Sequence, residues 1–158
     1  MKLDFITIGW NLACVVVTVV IHSFGTVLII SERSRLFSFA THGRKLLRGQ
    51  FAITIIVIEL LTLHLAEIAF WGLCVRALGL FVNFEDSIFF AGVSYTSLGF
   101  NGTILRPTEG FSEVLISMMG LLMFGWSVGI LVTTVIRYEK VSVGWDPAND
   151  APISPDLG

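Results

Sequence analysis

The sequence predicts an all-α integral membrane protein, with three transmembrane helices and a short re-entrant helix and loop between the second and third. Three observations carry this. The 158-residue chain is 54% hydrophobic and only 14% charged, with a mean hydropathy of +0.84. A soluble domain of that size needs more polar surface. Three apolar stretches each reach the length of about 20 residues that a helix needs to cross a bilayer core. Between the last two lies a segment too apolar for a solvated loop and too short for a span.

The first stretch runs from Phe5 to Ile30, broken by His22 and a few small polar residues. Lys2 precedes it, Asp4 opposes that charge, and no small-x-small cleavage site follows promptly. It reads as a retained helix rather than a cleaved signal peptide. Residues 1–30 thus form an amino-terminal span. Residues 31–50 follow as a basic loop with Arg33, Arg35, Arg44, Lys45 and Arg48 against Glu32.

The second span lies within Phe51 to Val82, with Glu59, His64, Glu67 and Arg76 embedded. The third is Phe111 to Ile136, followed by Arg137 and Lys140. Seven of the ten Lys and Arg residues therefore fall after the first span or after the third. The positive-inside rule places both regions in the cytoplasm and the amino terminus outside, in a plasma or inner membrane. Residues 138–158 form a cytoplasmic tail. Three of the four prolines and three Asp residues lie from Val141 onward, a composition that predicts disorder.

The outer segment begins "NFEDSIFFAGVSYT". Asn83 is a good N-cap residue, and Glu85 and Asp86 suit the positive end of a helix dipole. A helix of about 12 residues is only about 18 Å long, so it must enter the membrane and return. Irregular backbone at that depth is tolerated only when buried in protein or lining a cavity. The returning stretch is "TSLGFNG". Thr96, Ser97, Leu98, Gly99, Phe100 and Asn101 would supply successive carbonyls, which can replace the water shell of a monovalent cation. The carbonyl end of the preceding helix also favours a cation.

Helix, short helix, "TSLGFNG", helix resembles the pore module of potassium channels, whose filter reads T-T-V-G-Y-G-D. The resemblance spans residues 51–137. "FEDSIFFAGVSYTSLGF" and "GLLMFGWSVG" are similar to segments of small bacterial two-transmembrane pore-loop channels. Thr96 and Ser97 align with the two Thr, Leu98 with Val, Gly99 with the first glycine and Phe100 with Tyr. Asn101 replaces the second glycine, and Gly102 replaces the acidic residue.

The resemblance implies a homotetramer around one pore and passive potassium passage, with sodium left open by the altered filter. It implies no cofactor beyond the permeant ion, no small-molecule substrate and no enzyme activity. Gly120 or Gly125 would be a gating hinge, with close helix packing as the other explanation. The alternative is a non-conducting structural or regulatory subunit that keeps the channel fold.

Other features carry less. Cys14 and Cys74 lack metal-ligand spacing and read as buried thiols. No basic tract points to nucleic acid. His64 and Glu67, three residues apart, share a helix face. They suit either a proton or metal site, or a hydrogen-bonded pair that joins helices. The second is favoured, because ligands from one helix do not close a metal site. A membrane enzyme built on Glu59, His64 and Glu67 would lack any nucleophile–base pattern.

Overall fold

The computed structural model describes residues 5–40, 45–99, 107–142, 145–146 and 151–152. Four α-helices make up nearly all of it: α1 (Phe5–Ala40), α2 (Lys45–Ala77), α3 (Phe84–Tyr95) and α4 (Pro107–Ser142). Three of them contain stretches long and apolar enough to cross a membrane: Phe5–Ser31, Gly49–Ala77 and Glu109–Lys140. Their mean hydropathies are 2.4, 2.0 and 2.1. The chain is a multi-pass membrane protein by this measure.

The helices outrun the apolar stretches. The basic region 31–50, read as a loop, is mostly helical, because α1 continues to Ala40 and α2 starts at Lys45. Hydropathy marks where a chain leaves the bilayer. It does not mark where the helix stops, and Arg, Lys and Leu are good helix formers. The tail, read as disordered, holds a two-residue antiparallel pairing of β1 (Trp145–Asp146) with β2 (Ala151–Pro152).

α2 ends in a glycine turn. Gly79 takes φ +70, and the N–H groups of Leu78, Gly79 and Leu80 return to the carbonyls of Cys74, Arg76 and Val75. A glycine in this left-handed position closes a helix without a Cβ penalty. α3 then starts at Phe84 with Glu85 and Asp86 in its first turn. Asn83 has the extended backbone of an N-cap, but its side-chain amide bonds Asp86 Oδ2 at 3.1 Å rather than capping the backbone.

α3 packs against both α2 and α4, and α1 packs against the same two helices. The main core joins them. Trp71 and Val75 of α2, Phe90, Ala91 and Tyr95 of α3, and Ile116 of α4 are all fully buried in it. Cys14 brings α1 into the same cluster. Trp10 ties the start of α1 to the end of α2, its indole N–H donating to the Cys74 carbonyl at 3.2 Å. A smaller cluster of Ile29, Ile56 and Leu60 holds α1 to α2 farther along.

Candidate functional site

The site has two adjoining parts. One is a buried polar cluster that draws a side chain from every helix. The other is the turn that ends α3.

The cluster is organised by Glu67. Its Oε1 accepts from His22 Nδ1 of α1 at 2.8 Å, and its Oε2 accepts from the Tyr95 hydroxyl of α3. His64, one turn before Glu67 on α2, reaches the same hydroxyl from Nδ1 at 2.9 Å. Since Tyr95 donates to Glu67, its oxygen accepts from His64. Those partners assign the neutral His64 proton to Nδ1. His64 Nε2 then accepts from the Ser127 hydroxyl of α4 at 3.0 Å. The result is one directed chain, Ser127 to His64 to Tyr95 to Glu67, with His22 closing on the carboxylate from the other side. Glu67, His22 and Tyr95 have no solvent exposure. A carboxylate at this depth is stable only with such donors, because an unpaired charge in a low-dielectric interior is costly.

Aromatic rings cover the cluster. Phe124 lies 4.3 Å from the His64 ring, centroid to centroid, and the Trp126 ring edge lies 5.4 Å from His22.

Tyr95 is also the last residue of α3, so the cluster fixes the point from which the chain leaves the helix. Two contacts with α4 add to this. Ser117 Oγ donates to the Ser94 carbonyl at 2.8 Å. The Tyr95 carbonyl lies so close to Gly120 that a Cβ there would overlap it. Gly120 is thus a packing residue in this structure. Gly125 and Gly129 have no neighbour within 4 Å of a Cβ placed on them.

Beyond Tyr95, Thr96 to Gly99 turn their N–H groups back to α3. They donate to the carbonyls of Gly92, Ser94, Val93 and Val93 in turn. Each of these peptides is trans, so the carbonyl of each points opposite to its N–H. The carbonyls of Tyr95, Thr96, Ser97 and Leu98 therefore face away from the helix. Ser97 (φ 59) and Gly99 (φ 76) both adopt left-handed backbone. Glycine takes this freely and serine does not, so Ser97 is held there by its surroundings. The Thr96 hydroxyl bonds back to the Gly92 carbonyl at 2.8 Å.

No family model, curated protein or solved structure matches this chain.

The residues singled out from the sequence separate into three groups. Thr96, Ser97, Leu98 and Gly99 share the turn after α3. Phe100 and Asn101 lie outside the described residues. His64 and Glu67 meet, as their spacing implied, at 3.5 Å between Nδ1 and Oε2. Sequence reasoning missed His22, Tyr95 and Ser127. The available signal was His22, an ionisable residue in an apolar run, which usually faces protein rather than lipid.

Proposed function

We propose that the protein is a passive monovalent cation channel of potassium type, with the turn after α3 as the start of its ion path. The single observation that carries this reading is the peptide orientation at Thr96 to Gly99. Their N–H groups are satisfied by α3, which leaves the carbonyls of Thr96, Ser97 and Leu98 directed away from that helix, while the Tyr95 carbonyl packs against Gly120 of α4. Such oxygens can take the place of an ion's hydration shell. The rest supports it. α3 is a 12-residue helix, about 18 Å long and too short to cross, and it sits between two helices that are long enough.

In this reading α3 is the re-entrant pore helix and Thr96 to Asn101 form the filter. Four chains surround one pore, because each contributes one such segment. The basic region after α1 and the end of α4 are cytoplasmic, and the amino terminus is outside. Dehydration of the ion is offset by carbonyl contacts, with no cofactor and no chemical step.

The test is the reversal potential of purified protein in a planar bilayer, with potassium on one side and sodium on the other. A reversal displaced toward the potassium limit is expected. A clear current that reverses near zero would keep the cation pore and remove potassium selectivity. Folded, assembled protein that passes no current would overturn the reading in favour of a non-conducting subunit.

A further inference from the structure

One donor atom each from His22, His64 and Glu67 lies within 4.8 Å of the other two, and all three residues are buried. His22 comes from α1, whereas His64 and Glu67 come from α2. The objection that one helix cannot close a metal site therefore falls. The Tyr95 hydroxyl oxygen from α3 is a fourth donor atom beside them. We propose that His22, His64 and Glu67 form a binding site for a divalent transition-metal ion of the zinc type, with Tyr95 as the adjacent fourth donor.

The chemistry of the donors selects the ion. Two imidazole nitrogens and a carboxylate suit zinc and its first-row neighbours. Calcium and magnesium take oxygen ligands in larger number. Zinc bonds to nitrogen and oxygen at about 2.0–2.2 Å, so tetrahedral donor pairs sit roughly 3.3–3.5 Å apart. His64 Nδ1 stands 3.5 Å from Glu67 Oε2, which matches that spacing, whereas His22 Nδ1 is hydrogen-bonded at 2.8 Å to the other carboxylate oxygen, Oε1, and would have to draw back to admit the ion. A divalent charge would also offset a buried carboxylate that is otherwise held only by hydrogen bonds.

One further observation fits an ion. A metal-bound histidine usually engages its second ring nitrogen with an outer partner; with the ion on Nδ1 the His64 proton moves to Nε2, which then donates to the Ser127 hydroxyl oxygen 3.0 Å away. His22 Nε2 is buried with no hydrogen-bond partner among the described residues. His22 therefore lacks the outer partner that His64 has, and is held through Nδ1 by Glu67 alone.

This proposal rests on no reading of Thr96 to Gly99, and its test needs no current. Chelator-stripped protein in detergent would be titrated with Zn2+ by isothermal calorimetry, with Mg2+ and Ca2+ in parallel. The expected result is one saturable Zn2+ per chain that Mg2+ and Ca2+ do not displace. His22→Gln keeps an amide within reach of Glu67 but removes a ligand. It and His64→Gln should each weaken binding at least tenfold, and Ser127→Ala by about tenfold. Co2+ bound to the wild-type protein should show a tetrahedral absorption spectrum, which checks the geometry without any substitution. Absence of saturable binding would overturn the proposal. So would affinity unchanged in both His variants, or an octahedral Co2+ spectrum, either of which would place the ion on surface groups.

Discussion

Gly120 shows how one missing side chain can fix a helix end. The Tyr95 carbonyl occupies the space where a Cβ would stand. The obstacle is backbone, which cannot swing aside as a side-chain tip can. Gly120→Ala should therefore cost about 1–3 kcal/mol through overpacking. Gly125→Ala, with nothing within 4 Å, should leave the isolated chain's stability nearly unchanged. Thermal unfolding of both variants in detergent checks this, and equal loss in the two would mean the Tyr95 contact is not what matters. At this scale the sequence was half legible. A glycine-rich third span was plain, but a hinge and a packing contact look the same in one dimension. His64 and Glu67 could be paired from their spacing because both lie on one helix. His22 could not, since it stands 45 residues from Glu67 and its position depends on how α1 docks. Tyr95 could not be singled out, because a phenol shows its hydroxyl role only when a partner is present.

The same cluster governs how α1 attaches to the other helices. Apolar contacts such as Ile29 with Ile56 and Leu60 are weakly specific in a bilayer, where lipid is as apolar as the partner helix. The His22–Glu67 bond supplies a polar contact between α1 and α2 at a single register. His22→Leu would leave the carboxylate with one donor fewer in a dry interior, and loss of one partner of a buried pair costs about 3–5 kcal/mol. His22→Leu combined with Glu67→Leu removes the stranded charge, and Tyr95 keeps His64 as a partner. The double variant should therefore unfold at a higher temperature than His22→Leu alone. If it unfolds lower, the two residues are not energetically coupled and the α1 attachment is apolar. The elements themselves were readable because length and hydropathy decide them. α3 was readable from its acidic first turn and from a segment too apolar for a solvated loop. Helix ends were not, because basic residues continue a helix past the membrane edge as readily as they leave it.

At the scale of the molecule, the most telling feature is what one chain leaves uncovered. In the most apolar window of each long helix, only 28%, 28% and 33% of residues are buried within the chain. Leu98, at the turn after α3, is 80% exposed, although its N–H is tied to Val93 and its carbonyl faces away from α3. A bilayer can cover the outward face of α1, but lipid offers no donors or ions for a row of carbonyls. If those carbonyls stand at membrane depth, they require either protein or a water-filled path opposite them. A single re-entrant segment cannot enclose an ion, whereas a ring of identical segments can, and closed rotational symmetry is the usual way that identical chains assemble. The expected stoichiometry is four. Native mass spectrometry of the protein released from detergent micelles should give a complex of four chains, with no larger open series. A monomer, or a dimer that does not associate further in lipid nanodiscs, would leave the carbonyls of Thr96 to Leu98 without an enclosure. The cation-channel reading would then fail even if every contact within the chain were correct. The metal site would stand, because all of its donors come from one chain.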